Sequence, residues 1–117
     1  MTELRETWTP TQEEFDLFAR VSGDDNPIHV DPEFSARTAF GKTVSHGMLI
    51  YTRLWGMVRA ARPGATAVRQ TMMFPNPAFA GVDVQLVVEG DLLGTVTMRA
   101  WRLSDDAEVF LGEAEVA

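Results

Sequence analysis

Eight residues, Asp24-Asp25-Asn26-Pro27-Ile28-His29-Val30-Asp31, gather three carboxylates, one amide and one imidazole. An imidazole titrates near neutral pH and relays a proton, while a carboxylate such as Asp24, five residues before His29, can hold a water or orient the ring. The segment therefore offers acid–base chemistry on a loop that Pro27 stiffens. Two other readings compete with it. A metal site would have a single imidazole and neither Glu-x-x-His nor His-x-x-x-His spacing, and Asp31 is better used as a helix cap before Pro32. A plain solvated turn rich in Asp and Asn stays open on composition.

A second constellation begins at His46-Gly47, where the most apolar stretch of the chain starts. The first backbone N–H groups of a helix lack intrahelical partners and carry the positive end of its dipole, so they suit a developing oxyanion. Gly47 presents no side chain to block a ligand. The bland alternative is that Ser45 or His46 merely caps the helix. Other nucleophilic chemistry is poorly supplied. No Gly-x-Ser-x-Gly elbow exists, and the absence of cysteine removes thiolate nucleophiles, disulfides and Cys-based metal sites. Ala36 to Thr43 nearly spells a phosphate-binding loop, but no hydrophobic strand precedes it, so the match is rejected.

The elements that must position these groups are legible in outline. Thr11 and Glu14 form a capping box ahead of Phe15, Phe18 and Val21, which predicts a helix ending at Gly23. Asp31-Pro32 predicts a second helix of about two turns, stopped by Gly41, with Gly23 to His29 as a polar loop between the two. His46 to about Ala61 is apolar on nearly every face, which predicts an interior helix. Val68–Phe74, Val82–Glu89, Thr95–Leu103 and Glu108–Val116 read as strands, with a fifth near Leu4 to Trp8. One buried helix ahead of a run of strands implies an α+β fold in which an antiparallel sheet packs on that helix.

The chain has 117 residues, which predicts one domain over residues 1–117. Its formal charge of −7 argues against a nucleic-acid or anionic-membrane surface, and an anionic ligand needs local cations. Arg37, Lys42 and Arg69 are candidates. Charged residues at positions 3, 5 and 6 do not suit a signal peptide, and no apolar stretch is long enough to span a bilayer, so the expected location is cytoplasmic.

The run Phe18 to Pro32, with Ser22-Gly23-Asp24-Asp25-Asn26-Pro27-Ile28-His29 at its centre, followed by Thr43-Val44-Ser45-His46-Gly47-Met48-Leu49, resembles the hydratase-2 motif. This is the signature of the MaoC-like (R)-specific enoyl-CoA hydratases and 3-hydroxyacyl thioester dehydratases. The likeness extends to the helix at Thr11 to Phe18 and to a Phe-x-x-Pro strand entry at Phe74, covering roughly nine-tenths of the chain. It departs at Gly81-Val82-Asp83, where the family pattern places Asp directly after Gly.

The resemblance implies a hot-dog fold, with a curved antiparallel sheet wrapped around a central helix at about 46–61. It places the catalytic roles on Asp24 and His29 and the oxyanion-hole N–H on Gly47. Substrate contacts fall to Asn26, Ser45, His46 and Met48, and no metal or other cofactor is implied, coenzyme A being part of the substrate. It further implies hydration of a trans-2-enoyl thioester, on coenzyme A or a carrier protein, by a dimer whose sheets join edge to edge. Three rivals share the fold: a thioesterase, a non-catalytic acyl-CoA-binding subunit, and the catalytic half of a heteromeric carrier-protein dehydratase.

Overall fold

The computed structural model describes residues 1–117. Five strands make one antiparallel sheet: β1 (Thr2–Trp8), β2 (Ala67–Met73), β3 (Val84–Gly90), β4 (Thr95–Arg102) and β5 (Glu108–Val116), in the order β1-β3-β4-β5-β2. Four helices precede β2: α1 (Gln12–Ser22), α2 (Pro27–Val30), α3 (Pro32–Ala36) and α4 (Gly47–Ala61). Leu49, Leu54 and Val58 of α4 pack on Leu86, Val88, Val96, Met98 and Phe110 of the sheet. Burying each such side chain fully is worth about 1.5–3 kcal/mol, so this helix–sheet layer is what holds the fold together. No helix is long and apolar enough to cross a membrane.

The structure differs from the sequence reading in three places. α4 is not interior on nearly every face: Leu49, Ile50, Leu54, Met57 and Val58 are buried, whereas Met48, Thr52 and Gly56 are exposed. The open sheet covers only one side of it. The helix expected to run to Gly41 stops at Ala36, because the Thr38 hydroxyl donates to the Ser35 carbonyl at 2.7 Å and accepts from the Phe40 N–H at 3.3 Å, replacing helical bonds. The polar loop is also partly helical. Asn26 accepts from the Ile28 N–H at 3.2 Å, Pro27 fills the first helical position, and α2 follows, carrying His29.

The strands lie within two residues of their expected bounds. Register shifts interrupt the pairing at Ala67–Arg69 of β2 and opposite Ala100 and Trp101, where a bulge leaves both Val109 and Phe110 fully buried. On either side of Val82, Asp83 accepts from the Thr9 hydroxyl at 2.6 Å and Gly81 donates to the Pro10 carbonyl at 2.8 Å.

Glu14 does more than close the capping box. Its carboxylate also accepts from Trp8 Nε1 at 3.1 Å and pairs with Arg53, tying β1, α1 and α4 together. Burial alone would raise its pKa. The hydrogen bonds from Arg53 and Trp8, the Arg53 charge and the Thr11 N–H outweigh burial and hold the group below its ordinary 4.5. A carboxylate with a lowered folded-state pKa contributes stability above its unfolded pKa and loses it as pH falls through the folded value. Glu14→Gln is therefore expected to cost about 1.5–3 kcal/mol at neutral pH, the range for hydrogen bonds to a charged group. In chemical denaturation, the gap between variant and wild type should close as the pH drops below 4.5.

Candidate active site

α1 ends where Gly23, at φ +81°, turns the chain through the left-handed region that favours glycine. The turn delivers Asp24, one of whose oxygens faces the Asn26 N–H at 3.4 Å. Its other oxygen lies 3.8 Å from Nε2 of His29 on α2. His29 Nδ1 sits 2.8 Å from the Val44 carbonyl. A carbonyl can only accept, so the neutral ring carries its proton on Nδ1 and turns the free lone pair of Nε2 towards Asp24. The 3.8 Å gap is too long for a direct hydrogen bond and is one that a water in reach of both atoms can bridge.

His46 caps α4 without a side-chain hydrogen bond to the helix. Its ring, 2% exposed, stacks on His29 with centroids 3.9 Å apart and planes 23° from parallel. Its Nε2 lies 2.9 Å from the Asp24 carbonyl, and its Nδ1 is buried without a partner. Burial pushes the His46 pKa below its ordinary 6.5, and the charge of His29 adds to this. The Asp24 carbonyl and carboxylate oppose the shift without reversing it.

Asp24, His29 and His46 bring ligand-type atoms within 4.8 Å of one another. They are nonetheless poorly arranged for one ion. Nitrogen lone pairs lie in the ring planes, so two stacked rings do not converge on a common point, and Val44 and Asp24 carbonyls occupy one nitrogen of each ring.

Gly47 opens α4 beside a cleft of about 430 Å³. A Cβ on Gly47 would lie 2.7 Å from the Phe74 ring, so only glycine lets that ring rest against the helix start. Ser45, His46, Met48 and Ile50 line the same cleft, with Asp24 on its wall and Phe74 to Ala78 opposite. Ser45 donates to the His46 carbonyl at 3.0 Å. His29 is not among the residues that line the cleft, and its side chain is 14% exposed. Asn26 lies outside the lining, its side-chain oxygen engaged in the α2 cap. Arg37, Lys42 and Arg69 are exposed and also outside it; Lys42 stands nearest along the chain, between Phe40 and Val44, which do line the cleft.

Two further residues support the site without having been assigned to it from the sequence. Gln12 donates to the His29 carbonyl at 2.9 Å and accepts from the Thr43 hydroxyl at 2.6 Å, fastening α2 and the segment before α4 to α1. Phe74, packed edge-on against Phe110 with centroids 5.6 Å apart and planes 69° from parallel, forms the wall facing Gly47. Its place in the Phe-x-x-Pro entry was the available clue.

The chain matches the model of the MaoC like domain over residues 2–106. It is 54% identical over 106 residues to 3-hydroxyacyl-thioester dehydratase Z of Mycobacterium tuberculosis, covering 79% of this chain and 67% of that protein. It is 35% identical over 86 residues to a mitochondrial 3-hydroxyacyl-[acyl-carrier-protein] dehydratase of Arabidopsis thaliana, covering 74% of this chain. The match spans about half, 52%, of the plant protein's length. The solved (R)-hydratase of A. caviae superposes with a TM-score of 0.90 at 32% identity, covering 98% of this chain and 92% of that one. On the family model, the identity to these relatives and the shared hot-dog sheet, the chain belongs to the MaoC-like dehydratase family.

Proposed function

We propose that the protein adds water reversibly to a trans-2-enoyl thioester, giving the (R)-3-hydroxyacyl thioester. The observation that carries this is the shared cleft. Asp24, whose carboxylate lies 3.8 Å from His29 Nε2, lines the same cleft as Gly47 at the start of α4. One water held by both side chains loses a proton to His29 Nε2 as its oxygen bonds to C3. The C2=C3 electrons move onto the thioester oxygen, where the Gly47 N–H and the helix dipole meet the charge; one such donor is worth about 3 kcal/mol of barrier. The proton then returns to C2, so atoms and electrons balance with no redox partner and no metal. The names of the relatives, an (R)-hydratase among them, support the class and the hand of the product.

The carrier is coenzyme A or an acyl carrier protein. A second copy joining at the exposed edge strand β2, where Val68 and Met73 are each 58% exposed, would extend the sheet. The test is a spectrophotometric assay with crotonyl-CoA, longer enoyl-CoAs and a crotonyl carrier protein. Loss of the enoyl absorbance without release of free thiol is the expected result. Released thiol would establish a thioesterase instead, and no turnover on any carrier would favour a binding subunit.

A further inference from the structure

His46 is well packed and badly hydrogen-bonded. Phe18 and Phe15 of α1 surround it, at centroid distances of 4.8 and 6.5 Å, and its Nδ1 is a buried acceptor with no partner. A phenylalanine would suit such surroundings better, since an unpaired buried polar atom costs stability and calls for an explanation. The explanation lies on the other edge of the ring. The Asp24 carbonyl can only accept, so Nε2 carries the proton and donates to it across 2.9 Å, which leaves Nδ1 bare.

We propose that His46 is a positioning residue for the Asp24–His29 pair, anchoring the Asp24 backbone through Nε2–H and backing the His29 ring with its face. This rests on the hydration reading above. The two contacts act on the two members of the pair separately. The hydrogen bond fixes the backbone from which the Asp24 carboxylate projects, and the stack, at 3.9 Å, fixes the plane in which His29 Nε2 points. When His29 takes the proton of water, it becomes a cation lying on an uncharged aromatic face, which stabilises it. A cation in the place of His46 would oppose that step. The titratable groups facing the ring are His29 from α2 and Asp24 from the loop after α1, while α1 itself presents Phe15 and Phe18.

The test compares His46→Phe with His46→Gln, whose amide can occupy the place of Nε2. His46→Phe should melt at or above the wild-type temperature, with KM changed less than about twofold and kcat lowered by about tenfold to a hundredfold, the scale of a misplaced catalytic group. The acid limb of its kcat–pH profile should also move, because the surroundings of His29 have changed. His46→Gln should recover part of kcat by restoring the donor. A His46→Phe enzyme with wild-type kcat and pH profile would overturn the proposal, as would a Gln variant no faster than the Phe variant. Nitrogen-15 NMR of the wild-type protein gives a readout independent of turnover. His46 should stay neutral with its proton on Nε2 across pH 6–8 (about the range in which histidine usually titrates). The opposite tautomer would refute the anchor even if the protein hydrates nothing. Conversely, a correct tautomer in a protein without hydratase activity would locate the failure in the functional reading.

Discussion

Asp24→Asn and His29→Gln should each leave a folded protein that hydrates its enoyl thioester about a hundredfold to ten-thousandfold more slowly, the usual contribution of a positioned acid or base. Folding should survive because the Asp24 side chain is 57% exposed and the Gln amide at position 29 is close in size to the ring it replaces. The loss should fall on kcat. Under the proposed mechanism neither group holds the thioester, whose carbonyl would be met at Gly47, so KM should change little. The two losses should not multiply. If both groups grip one water, removing the second after the first has little left to remove, and the double variant should be about as slow as the slower single one. Rates for the three variants at saturating substrate, with thermal melts as the control for folding, check this.

Gly47→Ala is expected to have the second largest effect, and by a different route. The substitution leaves the N–H in place, and alanine favours a helix over glycine, so stability should hold. Its Cβ, however, would sit 2.7 Å from the Phe74 ring, which must shift where it packs on Phe110 and lines the cleft. Displacing the wall beside the oxyanion donor by about 1 Å is enough to cost about a hundredfold in kcat/KM. Relief should come from the wall itself. Phe74→Leu combined with Gly47→Ala should regain much of the loss if the cause is steric. Failure of the double variant to recover would mean that Gly47 is required for the conformation of the helix start, not for the room it leaves.

The parts of this site that are legible in the sequence are those written in neighbouring residues. The Thr11–Glu14 capping box, the Asp31 cap and the start of α4 at Gly47 each depend on bonds that span a few positions. The strands were legible for the same reason, since alternation is local. The short helix carrying His29 was read as loop because four residues are too few to show a period. What sequence could not show was contact between segments distant along the chain. Gln12 reaches the His29 carbonyl, His46 stacks on His29, and Phe74 covers Gly47, with separations set by how α1, α4 and the sheet pack. The exposed face of α4 was misread for a related reason. Hydropathy records what a residue prefers to bury, not whether one chain's sheet is wide enough to cover it.

The most direct measurement is of the products formed in oxygen-18 water from trans-2-enoyl thioesters of several chain lengths, carried on coenzyme A and on a carrier protein. Hydration places one labelled oxygen on C3 and leaves the thioester intact. Label in a free carboxylate, or an unlabelled and unchanged substrate, would contradict the assignment of Asp24, His29 and Gly47 to the addition of water across the double bond.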